Sequence, residues 1–143
     1  MKRVKNRNRW KLAILAALTL SFVSVAAHEE GHEAPGQMPP VGPHGGEYTR
    51  LTHHYGEAVI TGNQVMVYIL EKDVKHVAED ATGVSLEYQI PGAGKKPVVL
   101  SKKGDGYSGS IDVPSTTRRL NLFIECTLDG KKEKGSLIYE IKR

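Results

Sequence analysis

The sequence predicts an all-β fold: an antiparallel two-sheet sandwich of immunoglobulin-like type, with a small β-barrel as the alternative. Three observations predict it. From Glu47 onward, short runs rich in β-branched and aromatic residues alternate with turn residues, as in Val65-Met66-Val67-Tyr68-Ile69-Leu70. No stretch carries the 3.6-residue apolar spacing of an amphipathic helix. Asp129-Gly130 joins two long runs, and Asp-Gly is among the strongest short hairpin signals because both residues tolerate positive φ.

In chain order, residues 1–27 read as a secretory signal peptide. Lys2, Arg3, Lys5, Arg7, Arg9 and Lys11 form a positive start, an apolar run from Leu12 to Val25 follows, and Ala26-Ala27 closes it. The run is shorter than the roughly 20 apolar residues that span a bilayer, so cleavage after Ala27 is expected rather than an uncleaved anchor. The mature chain is then placed in the periplasm or secreted, with no membrane contact. Residues 28–46 carry four of the seven prolines and almost no aliphatic side chains, too little apolar surface to offset ordering entropy, and are expected to form a flexible tail.

The β-domain is expected over 47–143. Its strands are read at Glu47 to Leu51, His54 to Ile60, Gln64 to Leu70, Val84 to Ile90, Pro97 to Ser101, Tyr107 to Val113, Leu120 to Leu128 and Lys134 to Ile141. Turns fall at Thr61-Gly62-Asn63, Gly92-Ala93-Gly94, Gly104-Asp105-Gly106 and Asp129-Gly130. Leu120, Leu122, Ile124, Cys126 and Leu128 share one face by the two-residue period, which makes that strand a core strand. Cys126, the sole cysteine, has no disulfide partner in the chain and is expected as a small buried hydrophobe.

Charge narrows the partners. Six of the 20 Lys and Arg lie in residues 1–27 and none of the 16 Asp and Glu do, so the remainder holds 14 basic against 16 acidic residues, a net charge of −2. With no basic excess, nucleic acid is not an expected partner.

All six histidines lie between His28 and His76, and imidazole is the commonest protein ligand for transition metals. His28-Glu29-Glu30-Gly31-His32-Glu33 opens the mature chain; the α-amine and Nδ1 of His28 form a chelate suited to Cu(II), and His32 adds a nitrogen. The other reading is an acidic solubilising tail. Pro43-His44-Gly45-Gly46 predicts a tight turn from which His44 projects, or else a plain linker turn. In His53-His54-Tyr55-Gly56-Glu57, an extended strand sets His53 and Glu57 on one face about 13 Å apart, too far to clasp one ion, and His54 on the other. One site from these residues needs His44 folded back toward His53 or His54. His76 is read as a surface histidine unless the fold brings it near the others.

Gly42-Pro43-His44-Gly45-Gly46, His53-His54, Glu57 and the Val65-to-Leu70 run resemble small exported bacterial His-rich proteins associated with heavy-metal resistance and efflux, and segments of periplasmic adaptor subunits of metal-efflux pumps. The resemblance covers about residues 42 to 72 and implies a periplasmic β-domain that binds or hands over a transition metal. A weaker one, to exported copper carriers of immunoglobulin-like fold, rests on His28 alone.

The expected function is a non-enzymatic periplasmic protein that buffers or delivers a divalent metal, copper, zinc, nickel or cobalt, as an accessory to metal efflux. His44, His53, His54 and Glu57 make the domain site, His28 and His32 the collector, and a periplasmic efflux-system component is the expected recipient. The alternative is an exported protein-interaction module without a metal role. No serine or cysteine stands beside a histidine in a nucleophilic arrangement.

Overall fold

A computed structural model describes residues 41–142. The expected signal, His28 and His32 lie outside the described residues. Nine strands follow one another: β1 (Glu47–Arg50), β2 (Tyr55–Thr61), β3 (Gln64–Leu70), β4 (Thr82–Gln89), β5 (Lys96–Val98), β6 (Ser101–Lys103), β7 (Gly106–Ser110), β8 (Arg119–Leu128) and β9 (Lys131–Glu140). They form a five-stranded sheet in the order β1-β2-β3-β7-β6 and a four-stranded sheet in the order β5-β4-β8-β9, all pairings antiparallel. The two sheets pack as a sandwich and do not close into a barrel.

The core lies between the sheets. Leu120, Leu122, Ile124, Cys126 and Leu128 of β8 point into it against Ala58, Val65, Val67 and Ile69 of the other sheet. Full burial of each such aliphatic side chain contributes about 1.5–3 kcal/mol. Asp129 (φ 49°) and Gly130 (φ 71°) both take left-handed backbone, the two-residue turn that matches strand twist and sets the β8–β9 register.

The expected strand Pro97 to Ser101 is two strands. Val98 pairs with Leu86 in the four-stranded sheet while Ser101 pairs with Ser108 in the five-stranded one, so the chain crosses between sheets at Val99-Leu100. Val99, 88% exposed, sits at the crossing.

A second apolar cluster covers the outer face of the five-stranded sheet: buried Tyr55, Leu70 and Val74, with Tyr48, Tyr68 and Val77 packed on it. Past β3 the chain turns back on itself, with Leu70 bridging Val77 and the Glu71 amide donating to the His76 carbonyl at 2.8 Å. Val74 anchors this loop at φ 60°, a left-handed conformation costly for a β-branched residue.

Candidate functional site

The Pro43-His44-Gly45-Gly46 segment does form a turn, with the Gly45 amide donating to the Gly42 carbonyl at 3.0 Å and the Gly42 amide to the Gly46 carbonyl at 2.9 Å. It does not project into open space as the sequence suggests. Glu57, with no solvent exposure, reaches out of β2 beneath it. Its Oε1 accepts from the His44 amide at 3.0 Å and the Gly46 amide at 2.9 Å, and its Oε2 is 2.8 Å from His44 Nδ1. The approach is so close that a Cβ on Gly42 would lie 2.4 Å from the Glu57 carboxyl carbon, which is why glycine stands there. The His44 ring stacks on Tyr68 at 3.6 Å between centroids and 3° between planes. Through these contacts residues 42–46 pack against β2 and β3.

His54 lies on the opposite face of the sheet, since positions 54 and 57 differ by an odd number of residues. It faces Glu133 of β9, in the other sheet. Glu133 Oε2 accepts from the amides of His53 and His54, each at 2.9 Å, and its Oε1 is 2.9 Å from His54 Nδ1. His54 is 8% exposed and Glu133 3%. Burial by itself raises the Glu133 carboxyl, but the His53 amide, the His54 ring and the His54 amide outweigh it and hold the group down to about 2. The carboxylate accepts, so Nδ1 carries the proton and the lone pair of a neutral ring sits on Nε2.

That Nε2 is 3.6 Å from Oε2 of Glu71, a half-exposed carboxylate at the end of β3. The gap is too long for a hydrogen bond. Two donors bound at about 2.0–2.1 Å to one tetrahedral ion stand roughly 3.4 Å apart, close to the separation observed. A ligating imidazole whose second nitrogen is held by a carboxylate is also the usual outer-shell arrangement of metal-bound histidine.

The candidate residues therefore divide. His44 and Glu57 hydrogen-bond directly and form one unit, His54 forms another with Glu133 and Glu71, and His53 contributes its amide while its side chain is exposed. His76 is paired through Nδ1 with Asp73 in the loop beyond β3. The Lys75 amide, followed by the His76 ring, holds the Asp73 carboxyl down to about 2. Among the described residues, no three His, Cys, Asp or Glu side chains stand together as a group able to hold an ion.

Glu71, Asp73 and Glu133 escape the sequence reading. Glu71 is missed by one residue: strands at 54–60 and 64–70 about a three-residue turn set His54 opposite Leu70, whereas Thr61 pairs with Gln64 and Tyr55 with Leu70, which brings His54 opposite Glu71. Glu133 is 79 residues from His54 and has no local signal.

No family model matches the chain, and no curated protein matches it. Among solved structures it is similar to the crystal structure of a Br derivative of BhCBM56, at 12% identity over 67% of this chain and 100% of that one, with a TM-score of 0.49.

Proposed function

We propose that this protein is an exported carrier of a divalent transition metal, taken up at His54 and Glu71 and passed to a component of a periplasmic efflux system. The observation that carries the reading is the arrangement Glu133–His54–Glu71: a buried carboxylate orients the imidazole, and the free nitrogen stands at metal-bridging distance from a second carboxylate. Nitrogen and oxygen donors of this kind suit zinc, copper, nickel or cobalt. Two protein donors leave further positions of the ion open to water or to an incoming ligand, which suits exchange better than permanent storage. His28 and His32 act as a collector of ions.

Within this reading His44 and Glu57, which the sequence reading places in the domain metal site, take other roles. Glu57 is committed to three N–H donors of the Pro43-to-Gly46 turn and serves structure, while His44 presents a partly exposed ring beside Tyr68.

Isothermal titration of the exported form with Cu(II), Zn(II), Ni(II) and Co(II) tests the reading. Micromolar or tighter binding of one metal, lost in His54→Ala and in Glu71→Gln and weakened about 10- to 100-fold in Glu133→Gln, is the expected result. Weak binding of every metal, unchanged in these variants, would replace the reading with that of a protein-interaction module.

A further inference from the structure

We propose that His76 is the third protein ligand of the His54–Glu71 site, and that the Asp73–His76 pair is the resting position from which its ring is released when a metal ion arrives. The inference rests on the metal-carrier reading above and deepens it.

Its basis is the strand register. Tyr55 is paired with Leu70, so His54, one residue earlier, faces Glu71, one residue later. Leu70 is also bridged to Val77 from its other side, so Glu71 faces His76, and the Glu71 amide donates to the His76 carbonyl at 2.8 Å. His54, Glu71 and His76 therefore occupy one row across three adjacent chain segments. Directly opposed residues of an antiparallel ladder have Cβ atoms about 4.5–5.5 Å apart with side chains on the same face. Glu71 is the middle of the row, so a single ion on its carboxylate is within side-chain reach of both imidazoles.

The ring of His76 is elsewhere in the structure. Its Nδ1 is held by Asp73 Oδ2, and Asp73 Oδ1 accepts from the Lys75 amide at 2.9 Å and the His76 amide at 3.2 Å. The His76 side chain is 76% exposed, so no packing opposes its rotation. Only the ring contact with Asp73 has to break; the two amide contacts can hold the loop as it is. Val74, buried and left-handed, fixes the loop backbone between Tyr55 and Leu70, so that the row keeps its register while the ring moves.

His54, Glu71 and His76, two imidazoles and one carboxylate, supply three protein ligands with a fourth position open, the pattern of an exchangeable zinc or cobalt site. Asp73 then competes with the ion for His76. A delivery partner that removes the ion lets the ring return to Asp73, which lowers the cost of release.

Cobalt(II) is the probe, because its visible absorption intensifies as octahedral water ligands give way to four-coordinate protein ligands. The full exported chain carrying His28→Ala and His32→Ala is titrated, so that the tail does not compete. His76→Ala is expected to lose at least about tenfold in Co(II) affinity and much of the absorption intensity. Asp73→Asn, which keeps the amide contacts but weakens the ring contact, is expected to bind a few-fold more tightly. Thermal unfolding of each variant without metal confirms the fold. Glu71→Gln, at a half-exposed position away from the core, keeps the test independent of any His54 variant that folds poorly. If Glu71→Gln abolishes binding while His76→Ala titrates like its parent, the inference falls and the carrier reading stands. If neither substitution alters binding, both fall. Weaker binding in Asp73→Asn would make Asp73 a ligand itself and overturn the resting-position role.

Discussion

Glu57 is a buried carboxylate whose oxygens serve the turn they lie beneath. Glu57→Ala removes the acceptor for two amides and one ring nitrogen at once. A loss of about 2–4 kcal/mol in chemical denaturation is expected, with the turn detached from β2. Gly42→Ala should cost a similar amount, since its methyl would overlap the same carboxylate. Glu133 makes a different prediction, in pH. Its carboxyl is near 4.5 as an unperturbed group and about 2 when folded, so the unfolded chain takes up a proton that the folded chain refuses. The stabilisation is complete above about pH 5 and is lost as pH falls toward 2. Urea denaturation of metal-free protein across that range should show the acid limb flattened in Glu133→Gln. An unchanged limb would mean that the carboxylate contributes nothing to folding stability.

The β8–β9 hairpin carries Glu133 to His54, so the element that builds the core also orients the candidate ligand. Gly130→Val, at φ 71°, forces a β-branched residue into left-handed backbone and is expected to cost about 1–2 kcal/mol by thermal unfolding. Metal affinity should fall with it if the register near Glu133 shifts. This hairpin is legible in the sequence because its turn chemistry and its two-residue alternation agree, and β3 falls at Gln64–Leu70 as read. Elsewhere local pattern is insufficient. The Pro97-to-Ser101 run looks continuous because its residues favour extension on both sides of Val99, and only the position of the partner strands divides it. The loop from Glu71 to His76 carries no strand signal, yet its return past Leu70 is what sets His76 beside Glu71. His44 and Glu57 are visible as a motif, whereas the pairing of His54 with Glu133 depends on how two sheets meet, which no short stretch encodes.

At the scale of the whole molecule, the two sheets share one core and several polar links to β9: the Thr49 hydroxyl on the Ser136 carbonyl, the Ile60 amide on the Tyr139 hydroxyl, and a buried hook, His54 on Glu133. An ion bound by His54 adds to that hook, and a ligand that binds only the folded state at 100 times its Kd stabilises it by about 2.7 kcal/mol. A rise in Tm with Zn(II) or Co(II), absent in Glu71→Gln, is the expected readout. Cys126 reports the same equilibrium from inside. Burial, with a smaller effect of the Glu133 charge, pushes its thiol up to about 11, so it is protonated and inaccessible at neutral pH. Labelling by a thiol reagent should therefore proceed only through opening of the sandwich, at a rate that slows when metal is bound. The path of the chain has a kinetic consequence as well. It changes sheet between β3 and β4, between β5 and β6, and between β7 and β8, so each sheet is stitched from segments far apart in sequence. A nascent chain extending only through β7 holds all five strands of one sheet but only β4 and β5 of the other, and lacks the β8 side chains that fill the space between the sheets. Folding waits for the last hairpin and then completes in a single cooperative step, on the milliseconds-to-seconds scale of proteins dominated by non-local strand pairing.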